Sequence, residues 1–104
     1  MVNLWYETVE FLIDNGKTTS SIIFITDGCN CRLTTSKDLQ QLLDFNYDNG
    51  YGLVEVNPRL KLVGKDFWLE RSVYDGSEKW EFKTMPKYTK TYSKSIKING
   101  EIFR

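Results

Sequence analysis

The sequence predicts an α+β fold: two short helices packed on an antiparallel β-sheet, with a three-stranded meander at its C-terminal side. Three observations carry this. Apolar residues recur at helical spacing in LWYETVEFLID and KDLQQLLDF. From Pro58 onward they alternate with period two, and Gly64-Lys65 and Asp75-Gly76 interrupt the alternation where two-residue hairpin turns belong.

A chain of 104 residues is expected to form one small domain. Such a domain buries only roughly two-thirds of the surface that its unfolded chain exposes, so its core is thin. Asn3 is placed to cap a helix that runs to about Asp14, with Leu4, Thr8, Leu12, Trp5 and Val9 facing inward and Gly16 as the stop. SSIIFIT, Ser20 to Thr26, is apolar and β-branched without alternation, as for a central strand, and Asp27-Gly28 ends it. A hairpin can continue through Cys31 to Leu33. Thr35 or Ser36 then caps a second helix, whose Leu39, Leu42, Leu43 and Phe45 are assigned to the core.

In the meander, the turn residues fix the register. With Asp75-Gly76 at the tip, Arg71 lies opposite Trp80, Glu70 opposite Glu81, Trp68 opposite Lys83 and Tyr74 opposite Ser77. With Gly64-Lys65 as the other turn, Leu62 meets Phe67, Leu60 meets Leu69, Lys61 meets Trp68 and Arg59 meets Glu70. One face then holds Leu60, Leu62, Phe67, Leu69, Val73, Trp80 and Phe82, with Arg71 its only long cation. The other holds Arg59, Lys61, Trp68, Glu70, Ser72, Tyr74, Lys79, Glu81 and Lys83. The globular domain is expected over residues 1–86. Residues 87–104 read as a basic C-terminal tail or as an added β-hairpin turning at Asn99-Gly100.

Composition excludes several chemistries. The net charge is zero, with −5 on residues 1–57 and +5 on residues 58–104. That balance argues against a sequence-specific nucleic-acid partner and fits two halves that attract each other. Without histidine there is no serine or cysteine triad of the usual kind. Cys29 and Cys31 are too close for an easy disulfide and too few for a metal site, so free thiols in a cytosolic protein are expected. The first residues lack a signal-peptide pattern, no run of apolar residues is long enough to span a membrane, and no cofactor is called for.

Four features invite chemistry. Glu70 and Glu81, opposite on a ladder, could split their pKa values as a catalytic pair does, but Arg59, Lys79 and Lys83 around them favour two ionised carboxylates. Asp44, Asn46, Asp48 and Glu55 take four places of a calcium loop, yet Asn49 stands where that loop needs glycine and Pro58 blocks the exit helix. Gly16-Lys17-Thr18 imitates the end of a P-loop without its upstream glycine. The fourth feature is recognition. Trp68, Arg71, Tyr74, Trp80 and Lys83 mix aromatic rings with cations, which suits a stacked base with its phosphate or a protein-interface anchor. A purely structural role is available for each main member. Arg71 can stack on Trp80 and pair with an acid from the first half, and Trp68 can cover the stems of Lys61 and Lys83.

The run YDNGYG, then LVG with FWLER, then YDGSEKWEFK, after a helix, a strand IIFI and a second helix, resembles small accessory proteins of phages and prophages of Gram-positive bacteria. The resemblance covers residues 5 to 85 and leaves out the tail. It brings no assigned activity or site residue. What it implies is a setting, because small phage proteins of this size often inhibit host defence by binding. The expectation is therefore a non-enzymatic anti-defence protein of the host cytosol that sequesters a nucleotide-derived signal at those five residues. The alternatives are direct binding to a host defence protein and an enzyme using Glu70 and Glu81. A thin core and a free sheet edge also allow a homodimer.

Overall fold

The computed structural model describes residues 1–50 and 52–86; the expected basic tail or hairpin over 87–104 lies outside them. Among the described residues the fold is α+β: two helices, a five-stranded antiparallel sheet and a separate two-stranded ladder. In chain order the elements are β1 (Val2–Asn3), α1 (Leu4–Asp14), β2 (Phe24–Thr26), β3 (Cys31–Leu33), α2 (Ser36–Leu43), β4 (Asn46–Tyr47), β5 (Lys61–Val63), β6 (Phe67–Tyr74) and β7 (Ser77–Thr84). The large sheet runs β3-β2-β5-β6-β7, and β1 pairs with β4.

The helix starts follow the sequence signals. Asn3 Oδ1 accepts from the Tyr6 N–H at 3.2 Å and Thr35 Oγ1 from the Asp38 N–H at 3.2 Å, so each cap satisfies a backbone donor that its helix leaves open. Leu4, Thr8 and Leu12 of α1 and Leu39 and Leu43 of α2 are buried. They meet Ile22, Tyr47, Val56, Leu62, Phe67, Leu69 and Trp80 in one core, which lies between the helices and the inner face of the sheet.

The β6–β7 hairpin has the expected register throughout, from Tyr74↔Ser77 to Phe67↔Thr84. Asp75 and Gly76 both have positive φ, 52° and 80°, as the tight hairpin turn matching strand twist requires. Elsewhere the expectations need correction. Lys61, not Arg59, stands opposite Glu70, and Leu62 meets Leu69 and Val63 meets Trp68, two residues from the expected register. Gly64 is not a turn residue: it extends the ladder, its N–H donating to Phe67 O at 2.9 Å, and the Phe67 ring occupies the space beside its Cα. A slip of two keeps every side chain on its face, so the two-face assignment survives.

The strand expected over Ser20 to Thr26 begins only at Phe24 and is half-buried. Thr18 and Ser21 close a 3-10 turn before it, and the helices cover one face of the sheet only. Leu42 and Phe45, assigned to the core, are 39% and 41% exposed, because α2 ends at Leu43 and the following residues turn toward β1. Val73, near the hairpin tip, is also exposed.

Gly64→Ala is expected to lower stability by about 1–3 kcal/mol, because the added methyl meets the Phe67 ring in a packed core. Urea denaturation measures this, and an unchanged midpoint would mean that the ring moves aside freely.

Candidate functional site

The five residues singled out in the sequence fall into two groups, because period two sends alternate residues of β6 and β7 to opposite faces. Arg71 and Trp80, register partners, face the core; Trp68, Lys83 and Tyr74 face outward.

The inner group is closed. Arg71 is 7% exposed, and its guanidinium carbon lies 4.6 Å from the Trp80 ring centroid and 5.4 Å from that of Tyr47. Its Nη2 donates to the Tyr47 hydroxyl at 2.9 Å and lies 3.6 Å from Glu78 Oε1; its Nη1 lies 3.8 Å from Glu7 Oε1. The Tyr47 hydroxyl in turn donates to Glu7 Oε1 at 2.5 Å. Glu78, fully buried, accepts the backbone N–H groups of Glu55 and Val56 at 2.8 and 3.0 Å. Trp80 Nε1 donates to Thr8 Oγ1 at 2.9 Å, and that hydroxyl donates to Leu4 O at 2.6 Å. Among the described residues, Arg71 Nε and Nη1 have no hydrogen-bond partner, so the two rings and the Glu7 carboxylate stabilise that side of the cation.

Arg71 thus pairs with an acid from the first half, Glu7, while sitting inside the core and not at its rim. Glu7, Thr8, Tyr47 and Glu78 complete the cluster. Of these, Glu78 carried a signal: period two places it on the inward face of β7, two residues before Trp80. Glu7 and Tyr47 carried none, because the path that brings α1 and β4 to Arg71 is tertiary. Burial pushes the Tyr47 phenol up to about 12, with its hydrogen bond to Glu7 acting in the same direction and Arg71 opposing.

The outer group sits on a face that neither helix covers. Register places Leu33, Phe24, Val63, Trp68 and Lys83 in one row across all five strands. Leu33 is 77% exposed, and the side chains of Phe24, Val63 and Trp68 are half-buried among their neighbours. The next row reads Cys31, Thr26, Lys61, Glu70 and Glu81. Trp68 Nε1 donates to Glu70 Oε1 at 2.7 Å, which holds the indole along its own strand. Lys83 lies 3.1 Å from Glu81. Tyr74, 80% exposed, stands apart at the hairpin tip. A shallow cleft lined by Thr26, Gly28, Pro58, Arg59, Lys61 and Glu70 opens at the end of this face.

Glu70 and Glu81 do face each other, as the hairpin register requires. The Ser72 hydroxyl and the Lys83 ammonium hold the Glu81 carboxyl below its ordinary range, the opposite of what a general acid needs. Lys83 is raised by the same contact. In the partial calcium loop, Asp44 accepts from Asn3 Nδ2 at 2.9 Å and Glu55 from the Asp48 N–H at 2.8 Å. Among the described residues, no three acid or thiol side chains converge as a metal site would require.

Comparison with protein families, with curated proteins and with solved structures finds no match. The functional reading therefore rests on the two faces themselves.

Arg71→Ala is expected to cost about 3–5 kcal/mol, because it leaves the buried Glu78 carboxylate without its cation. Chemical denaturation at neutral pH measures this; a variant as stable as the parent would free Arg71 for a ligand. Tyr47 gives a second test. Its phenol is held at about 12 against an ordinary 10.0, so the fold favours the neutral form. That contribution is complete below pH 10 and is lost as pH rises through about 12. Stability measured across this range should fall more steeply for the parent than for Tyr47→Phe, and parallel curves would refute the assignment.

Proposed function

We propose that the protein is a non-catalytic binding protein and that its recognition surface is the face of the five-stranded sheet that neither helix covers. In the setting that the phage resemblance implies, it is an anti-defence protein of the host cytosol that binds a defence protein directly. The observation that carries this is the row of Leu33, Phe24, Val63 and Trp68, side by side on one face, with Leu33 mostly exposed to solvent. Apolar side chains that touch across strands and face outward have no role in the core. They supply the water-excluding centre that a protein interface needs, and the charges of Lys61, Glu70, Glu81 and Lys83 form a polar rim on one side.

Trp68 is the anchor. Its hydrogen bond to Glu70 fixes the ring before a partner arrives, which reduces the ordering cost of binding. Tyr74, far out on the hairpin tip, extends the same face. Arg71 and Trp80 do not take part in this surface, since each is consumed by contacts within the core.

A nucleotide-derived signal is the second reading, favoured by one observation. The cleft that holds Arg59 and Lys61 adjoins the row containing Trp68 and Lys83, so a ring and several cations are within one surface. An open sheet face encloses a small molecule poorly, whereas it fits the flat surface of a protein.

Capture from host lysate with the parent and with Trp68→Ala tests the first reading. A protein retained by the parent and weakened at least about thirtyfold by Trp68→Ala is the expected result for a central aromatic anchor. Equal retention by both would remove Trp68 from the interface. A thermal-shift series with cyclic and linear nucleotides is the companion measurement: a midpoint rise abolished by Trp68→Ala would select the second reading.

A further inference from the structure

The register of β7 defines which of its backbone groups are spoken for. Tyr74 and Ser77 flank a two-residue turn and exchange both hydrogen bonds, so Ser77, Lys79, Glu81 and Lys83 point their N–H and C=O groups at β6. Glu78, Trp80, Phe82 and Thr84 point theirs the other way. The bond from Met85 N–H to Asp66 O at 3.1 Å and that from Glu78 N–H to Asn49 O at 3.1 Å agree with this alternation. Asn49 therefore closes the start of the edge. Among the described residues, the backbone groups of Trp80, Phe82 and Thr84 have no partner. A regular strand edge with unpaired donors and acceptors is a template for another strand.

We propose that this edge pairs with the same edge of a second copy of the chain, antiparallel about a two-fold axis at Phe82, giving one continuous sheet across the dimer. Three registers use outward-pointing residues near the strand centre, and charge separates them. An axis at Trp80 would bring Glu78 into the ladder, where its N–H is already held by Asn49. An axis at Glu81 sets Glu81 against Glu81 and Lys79 against Lys83, which repel. An axis at Phe82 sets Glu81 against Lys83 of the other copy, twice by symmetry, and pairs Trp80 with Thr84 and Phe82 with itself.

The ends of the ladder agree with this register. Glu78 would fall opposite Pro86, so the residue whose N–H is engaged meets the residue that has none, and pairing stops there without leaving a buried donor. The inner side of the same edge also has room. A cleft lined by Asn15, Lys17, Phe67, Phe82, Thr84 and Met85 opens beside it, floored by the Phe67–Phe82 stack at 5.4 Å between centroids. Two such clefts meet at the axis, and each copy's Phe82 lies against the other's.

Sedimentation equilibrium of the full chain tests the proposal. The expected mass is twice 12.2 kDa. Lys83→Glu turns both cross-copy attractions into repulsions and is expected to weaken the dimer by about tenfold or more. Glu81→Lys with Lys83→Glu restores opposite charges in this register and is expected to recover the dimer. Trp68→Ala, on the outer row, should leave the mass unchanged, so failure of the recognition surface and failure of the dimer are read separately. A parent chain that stays monomeric at all soluble concentrations overturns the proposal. So does a dimer indifferent to Lys83→Glu, or a double variant as weak as the single one.

Discussion

The fold depends on one buried cation. Arg71 stands on the inner face of the sheet where period two demands an apolar residue, and its guanidinium joins α1 through Glu7, β4 through Tyr47 and β7 through Glu78 and Trp80. Taking such an ion out of water is costly, and the cost is offset only because its partners are assembled around it. Glu78 then carries the connection further, since its carboxylate ties down the N–H groups of Glu55 and Val56. A thin core of aliphatic side chains would fix these elements loosely. The cluster adds directional contacts, each of which works in one arrangement only.

This arrangement also divides the work of the sheet. The inner face is committed to stability: Trp80 bonds Thr8, and Leu62 and Leu69 are fully buried against the helices. The outer face is thereby left to other uses, and it combines an apolar row with a ladder of paired charges. Aromatic residues that look alike in the sequence, such as Trp68 and Trp80, consequently have different roles. Trp80 is held from within, whereas Trp68 is steadied by Glu70 on the surface.

Most of the fold was legible where a local rule decides the outcome. Asn3 and Thr35 cap because their oxygens reach nearby backbone donors, and Asp75-Gly76 sets the hairpin because positive φ is needed at both positions. Legibility failed where the deciding contact was distant. Gly64 reads as a turn residue, yet it lies in the ladder because the Phe67 ring fills the place of a side chain. The β1–β4 ladder has two residues per strand, too few to show a period. Of the candidate site, the inward position of Arg71 and its stacking on Trp80 followed from alternation, and Glu78 was readable by the same rule. Glu7 and Tyr47 were not, since nothing near them in sequence indicates a partner.

The bond between Trp80 Nε1 and Thr8 Oγ1 spans 72 positions of sequence. During synthesis, α1 emerges from the ribosome long before β7, and Thr8 lacks its Trp80 partner until β7 has left the exit tunnel. Contacts of such long range close slowly, because loop entropy must be lost before they form. The first helix thus waits for the last described strand, and the nascent chain passes through a stage with its apolar stripe uncovered.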